Sequence, residues 1–256
     1  MQSEPGCGSV VRICDAGPRA PSVLAVPYAG GSAQSFFAWK PLLEGRVSLW
    51  ALELPGRGRC FGQPMPPSLV ALAQGLAHTL HAHGVQPDLV FGHSLGALIS
   101  FELLRAMRAQ GRGLPAAALM TGRIAPSKPT AFGLPRFTRG DLIDYLRDLG
   151  GTPDSVLHND AVIDMMLPVL QGDLELIASH EHRSAAPLDL DLAVAGGFDD
   201  RRVPMDGLLA WQQAFSGDFS LHMFPGGHFF IEEDRPAVAE LLCGLAGRAA
   251  LRSEAA

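Results

Sequence analysis

The stretch from Leu89 to Gly111 constrains this chain more than any other. Leu89-Val90-Phe91 is a short apolar run, Gly92-His93-Ser94-Leu95-Gly96 follows at once, and Leu95, Leu98, Ile99 and Leu103 then recur at helical spacing. The segment reads as strand, tight turn and helix, with a serine at the turn and glycines two residues to either side. The G-x-S-x-G pentapeptide is weak by itself. Between a buried strand and an amphipathic helix it becomes a candidate nucleophile elbow, where glycines relieve crowding and the positive end of the helix dipole points at the serine.

The same switching between short apolar runs and helical periods extends along the chain and marks an α/β fold with a parallel sheet. Val10 to Ile13, Val23 to Pro27, Val47 to Leu54 and Leu89 to Phe91 read as strands, followed by Ala116 to Thr121, Leu192 to Ala195 and Ser220 to Phe224. The second and fourth are almost continuously apolar, as strands covered on both faces should be. Leu69, Leu72, Ala73, Leu76 and Leu80 predict a helix behind an N-cap at Ser68. Further helices are expected near Met205 to Phe215 and after Asp234.

About seventy residues separate the Ala116 and Leu192 strands, whereas a parallel crossover needs only a dozen or more. An insertion is therefore expected. Thr138-Arg139-Gly140-Asp141 can cap a helix carrying Leu142, Ile143, Leu146 and Leu149, closed by Gly150-Gly151. A second helix, Asp160 to Ser179, is apolar on more than one side and suits a pocket cover. The reading is one domain over 1–256, with a helical lid inserted at approximately 130–185.

A serine hydroxyl needs an imidazole to take its proton and a carboxylate to orient that imidazole. Of the histidines well beyond Ser94, His228 fits best: it lies in Pro225-Gly226-Gly227-His228-Phe229-Phe230, just past a strand. His222 falls within that strand and reads as an outward polar residue. His180 and His182 end the insertion helix, with a pocket-facing position left open. The acid should follow the Leu192 strand, where Asp199 and Asp200 adjoin. The frame set by Gly197 and Val203-Pro204 selects Asp200, with Asp199 as the alternative. Donors for an oxyanion are expected from the amides of Leu95, after the serine, and Ala29, in the loop Pro27-Tyr28-Ala29-Gly30-Gly31-Ser32.

Composition narrows the remaining classes. With 47% hydrophobic and 18% charged residues, the 256-residue chain has ample material for a core. A net charge of −6 without any basic run argues against nucleic-acid and anionic-membrane partners. No apolar run reaches a membrane span, and the N-terminus lacks the layout of a signal peptide, so a cytoplasmic protein is expected. Cys7, Cys14, Cys60 and Cys243 are scattered and read as reduced thiols. His78, His81 and His83 cluster without a carboxylate to complete a metal set. Gly56-Arg57-Gly58-Arg59 lacks the spacing of a nucleotide loop.

Taken together, Pro27-Tyr28-Ala29-Gly30-Gly31-Ser32, Leu54-Pro55-Gly56-Arg57-Gly58, Phe91-Gly92-His93-Ser94-Leu95-Gly96-Ala97 and Pro225-Gly226-Gly227-His228-Phe229-Phe230 carry a resemblance. Thr121-Gly122-Arg123-Ile124-Ala125-Pro126 and Leu149-Gly150-Gly151-Thr152-Pro153 add to it. From about Val23 to Leu245 the chain resembles the stand-alone type II thioesterases that accompany modular polyketide and nonribosomal peptide synthetases. The likeness implies an α/β-hydrolase fold, a mostly parallel central sheet flanked by helices with a helical lid insertion. It implies hydrolysis of acyl groups from the phosphopantetheine arm of an acyl or peptidyl carrier protein, with acyl-CoA as a surrogate and no cofactor or metal. Ser94, Asp200 and His228 would be catalytic, and the protein a monomer. Lid residues Met165, Met166, Leu170 and Leu174, with Tyr28 and Phe229 from the motifs, would line the acyl pocket. Gln63, His180 and Gln171-Gly172 depart from the family pattern and bear on acyl selectivity and carrier contacts. The rival readings are a small-molecule carboxylesterase or lipase of the same fold, and a non-catalytic hydrolase-fold binding protein.

Overall fold

In the computed structural model, residues 7–128, 138–150, 152 and 154–255 are described. Part of the expected insertion, 129–137, lies outside them, as do Gly151 and Pro153 of the LGGTP stretch. The strands are β1 Ser9–Cys14, β2 Ser22–Val26, β3 Ser48–Glu53, β4 Leu89–His93, β5 Ala117–Thr121, β6 Asp191–Gly197 and β7 Phe219–Phe224. The helices are α1 Lys40–Leu43, α2 Leu69–Ala82, α3 Leu95–Ala109, α4 Arg139–Leu149, α5 Asp154–Leu157, α6 Asp160–Ser179, α7 Met205–Leu209, α8 Phe230–Glu233 and α9 Arg235–Ala255. The stretch expected as one helix to Phe215 divides into α7 and a 3-10 turn, Ala210–Ala214. A 3-10 turn that the sequence reading did not include, Ala33–Trp39, follows β2.

The strands form one sheet in the order β1-β3-β2-β4-β5-β6-β7. β1 runs antiparallel to β3, and every other pair is parallel. Alternation along each strand divides the core into two layers. Leu24, Val90, Met120 and Val194 face the layer that includes α2 and α3, while Val23, Phe91, Leu119 and Ala195 face α1 and α9. Both faces are covered, which explains why β4 and β5 are buried at every residue.

Strand order reverses between β2 and β4, since the chain winds outward to β3 on one side and to β5 on the other. In open α/β sheets a crevice forms at such a reversal, beyond the carboxyl ends of the strands. That brings the loop after β2 beside the turn after β4. Between β5 and β6 the chain departs into α4, α5 and α6 before returning to the sheet. Among the described residues, no helix is long and apolar enough to cross a membrane.

Candidate active site

Ser94 caps α3 with φ 54° and ψ −116°, the one positive φ at a non-glycine residue among those described. A side chain here is strained, and surrounding packing must hold it. The flanking glycines are required for steric reasons. A Cβ at Gly92 would lie 2.3 Å from the Gly96 carbonyl oxygen, and one at Gly96 would lie 2.2 Å from that of Val26. The second contact shows how closely the start of α3 packs on the end of β2. The Ser94 amide donates to the Thr121 carbonyl at 2.8 Å, tying the turn to β5.

His228 approaches from the loop after β7. Its Nε2 lies 3.1 Å from Ser94 Oγ, and its Nδ1 lies 2.7 Å from Asp200 Oδ2. An ionised carboxylate only accepts, so Nδ1–H donates to Asp200 and Nε2 is free to accept from the serine hydroxyl. The other Asp200 oxygen accepts the Arg202 amide at 3.0 Å, which fixes the carboxylate. Two backbone bonds stitch the acid and base loops together, from the Phe198 amide to the Phe224 carbonyl and from the Asp199 amide to that of Gly226, both at 2.9 Å. Gly197 allows this approach, because a Cβ there would lie 2.3 Å from the Gly227 carbonyl oxygen. Asp199 is exposed, and Asp200 is the residue that reaches the imidazole.

Beneath these groups lies His93, fully buried with its ring centroid 5.1 Å from that of His228. Thr121 Oγ1 donates to the Gly92 carbonyl and accepts from His93 Nδ1, which fixes the neutral tautomer. Burial first, and then any positive charge on His228, hold its pKa well below the usual histidine value.

The loop after β2 carries Ala29, whose amide donates to no protein acceptor among the described residues. Leu95 opens α3, so its amide has no i−4 carbonyl within the helix. The sequence reading missed what holds this loop. Asp173 on α6 is completely buried and accepts from the Gly30 amide at 2.7 Å, from Arg57 Nη1 at 2.8 Å and from Nη2 at 2.5 Å. Arg57 Nη1 also donates to the Gly31 carbonyl at 3.0 Å. A carboxylate of the inserted helix and an arginine of the LPGRG loop thus clamp the backbone next to Ala29. The signal that could have found it is the position of Asp173 on the apolar stripe of α6, at helical spacing between Leu170 and Ile177. Glu53 extends the arrangement by accepting from the Ala33 amide at 3.3 Å. Burial pushes its carboxyl up, opposed by the Ala33 and Arg59 amides and by Arg57.

A cleft of about 280 Å³ opens over Ser94 and His228. Its walls include Arg123, Tyr145, Leu149, Ile177 and Arg202. The expected lining differs from this one. Met165 is 62% exposed on the far side of α6, and Met166 packs partly against the core. Ile163, Leu170, Leu174 and Ile177 form a single buried stripe of α6, but only its C-terminal end, Ile177, reaches the cleft. Leu170 instead approaches Gly30. Tyr28 and Phe229 pack edge to face at 5.0 Å beside His93, outside the cleft wall. The opposite wall comes from α4, where Tyr145 and Leu149 share a face at i, i+4 spacing. His180 bonds Glu102 at 3.0 Å, and with His182 lines a neighbouring cavity rather than this one. Of the other departures from the family pattern, Gln63 accepts the Gly8 amide at 2.8 Å and so ties down the start of β1.

A family model for the thioesterase domain matches residues 21–244. The gramicidin S biosynthesis protein GrsT of Aneurinibacillus migulanus is 31% identical over 222 residues, 86% of this chain and 87% of that protein. Thioesterase PikA5 of Streptomyces venezuelae is 28% identical over 212 residues, 82% of this chain and 75% of its own length. Among solved structures, the type II thioesterase BorB from the borrelidin biosynthetic cluster superposes with a TM-score of 0.84 at 31% identity, covering 93% of this chain and 97% of that one. The α/β-hydrolase sheet, its inserted helices and these likenesses agree, and the chain belongs to the thioesterase family, as a thioester hydrolase of the type II class that serves polyketide and nonribosomal peptide biosynthesis.

Proposed function

We propose that this thioesterase removes acyl groups from the phosphopantetheine arm of acyl or peptidyl carrier proteins, with Ser94 as nucleophile, His228 as base and acid, and Asp200 as the group that orients it. The observation that carries the reading is the continuous hydrogen-bonded line from Ser94 Oγ through His228 to Asp200, at 3.1 and 2.7 Å. His228 Nε2 takes the serine proton as Oγ attacks the thioester carbonyl. The imidazolium that forms is stabilised by the Asp200 charge. The carbonyl oxygen becomes an oxyanion facing the Leu95 and Ala29 amides, whose positions are set before the substrate arrives. Collapse expels the pantetheine thiol and leaves an acyl-serine. Water, deprotonated by His228, then attacks that ester, and Ser94 recovers its proton as the free acid departs. No step calls for a metal or a redox cofactor.

The insert supplies the cover. Tyr145 and Leu149 from α4 and Ile177 from α6 form an apolar wall over the nucleophile, which supports a lid role for the helices between β5 and β6. About 280 Å³ is at the small end of ligand pockets and suits a short acyl unit with the arm reaching in from outside. The test compares wild type and Ser94→Ala on acyl-carrier protein, acyl-pantetheine and a matched oxygen ester. Ser94→Ala should retain the fold and lose turnover by at least about a thousandfold, as removal of a triad member does elsewhere. Substantial turnover by folded Ser94→Ala would overturn the catalytic assignment. A strong preference for the oxygen ester would overturn the carrier-thioester reading.

A further inference from the structure

His93, the last residue of β4, and Thr121, the last residue of β5, are both completely buried, and neither exchanges a proton with Ser94. Thr121 holds the nucleophile turn from two sides. Its carbonyl accepts from the Ser94 amide at 2.8 Å, and its hydroxyl donates to the Gly92 carbonyl at 3.1 Å. The same hydroxyl oxygen accepts from His93 Nδ1 at 3.0 Å. A hydroxyl has a single proton, so with that proton on Gly92 its remaining capacity is as an acceptor, and the His93 ring is pinned through Nδ1–H.

His93 carries this register to the base loop. Its ring centroid lies 5.1 Å from that of His228, 5.6 Å from Phe229 and 5.9 Å from Phe230, so it faces three consecutive residues of that loop. Gly122 closes the ring in from β5. It has φ +60°, and a Cβ there would lie 2.3 Å from His93 Cε1. The Gly122 amide is itself tied to the Ala195 carbonyl of β6 at 3.0 Å. A ring enclosed in this way cannot turn unless one of these neighbours moves.

Packing alone does not call for histidine here. His93 Nε2 is buried with no hydrogen-bond partner among the described residues, a cost that phenylalanine would avoid. What histidine has and phenylalanine lacks is the Nδ1–H that fixes the ring to Thr121. We infer that Thr121 and His93 are positioning residues that work as one unit: the Thr121 hydroxyl locks the His93 ring, and the ring sets the height and tilt of the His228 imidazole over Ser94. This inference rests on the Ser94, His228 and Asp200 reading of the site. Proton transfer uses the 3.1 Å contact between His228 Nε2 and Ser94 Oγ, and a misplacement of about 1 Å at such a contact costs about a hundredfold in rate.

The experiment removes the hydroxyl without changing the shape of the side chain. On an acyl-pantetheine thioester, at a temperature where every variant is folded, Thr121→Val and His93→Phe should each lose about ten- to a hundredfold in kcat, with KM within about twofold of wild type. Thr121→Ser keeps the hydroxyl and should stay within about threefold of wild type. The combined Thr121→Val/His93→Phe protein should be no slower than the slower single variant, because the two residues act through one contact. Losses that multiply in the combined variant, or a Thr121→Ser as slow as Thr121→Val, would overturn the inference. Proton NMR reads the same geometry without substrate. The downfield signal of the His228 Nδ1–H held by Asp200, assigned by its absence in His228→Gln, should persist in Thr121→Ser and broaden or vanish in folded Thr121→Val. An unchanged signal in Thr121→Val would overturn the inference. Turnover retained by folded Ser94→Ala would instead strike the triad reading, and the NMR comparison then decides the inference on its own.

Discussion

Asp173→Asn tests whether the inserted helix organises the oxyanion loop. In the wild type the Asp173 carboxylate accepts three hydrogen bonds, two from Arg57 and one from the Gly30 amide, with Asp173 wholly buried and the Arg57 side chain 6% exposed. An asparagine of the same shape must present an N–H2 group to one of these donors and leaves Arg57 charged without a counterion. Removing one partner of a buried pair costs about 3–5 kcal/mol. At roughly 2–4 °C per kcal/mol for a chain of about this size, the melting temperature should fall by about 6–20 °C. The catalytic effect is distinct. Loss of the Gly30 bond frees the peptide next to Ala29, and a lost oxyanion donor costs about a hundredfold or more in kcat. A reduction of about ten- to a hundredfold in kcat with little change in KM is therefore expected on an acyl-pantetheine thioester at a temperature where the variant is folded. Arg57→Met/Asp173→Leu separates the two effects. It removes both charges, so much of the stability should return, as replacement of a buried ion pair by apolar groups often allows. Gly30 remains unheld, so kcat should stay low. Recovery of kcat together with melting temperature, or an Asp173→Asn protein that melts within about 2 °C of wild type, would refute the reasoning.

Two further predictions concern the base of the site. Gly96→Ala would drive a Cβ to within 2.2 Å of a backbone oxygen of β2, so a loss of about 3 kcal/mol or more is expected in denaturant unfolding; a loss under about 1 kcal/mol would show that α3 can shift. His93 is buried neutral with its pKa lowered, so the unfolded chain binds a proton that the folded one refuses. Its contribution is complete above about pH 6.5 and should be lost as pH falls below that value, by up to about 1.4 kcal/mol per pH unit. Unfolding of wild type and His93→Phe between pH 5 and 7.5 checks this: the two stability curves should diverge on the acid side, and parallel curves would contradict it.

Much of the site could be read locally. The nucleophile turn is a five-residue problem, because a strand, a strained φ and a helix start leave glycine as the sterically tolerable residue at positions 92 and 96. His228 and Asp200 were legible for a similar reason, as each follows a strand of one parallel sheet and parallel strands end on the same side. The choice of Asp200 over Asp199 followed from the frame of Gly197 and Val203-Pro204, and the backbone bonds between the two loops show the geometry behind it.

The cleft wall was not local. Amphipathic periodicity identified α6 and its buried stripe, but a stripe that runs from Ile163 to Ile177 covers both core and cleft, and nothing in the 3.6-residue repeat says which end meets Ser94. Tertiary packing put Ile177 there, turned Met165 to solvent, and brought Tyr145 and Leu149 across from α4. Charge followed the same rule. From sequence alone Arg57, Arg123 and Arg202 are three arginines in loops, whereas the folded chain gives the first to Asp173, the last to Asp148, and among the described residues gives Arg123, in the cleft wall beside Ser94, no carboxylate. Sequence determined the sheet, the turn and the three residues of the Ser94–His228–Asp200 hydrogen-bonded line, because those depend on steric and hydrogen-bonding rules acting over a few residues. Only the tertiary structure decided which surfaces and charges line the cleft, because that depends on contacts between segments as far apart as Gly30 and Asp173.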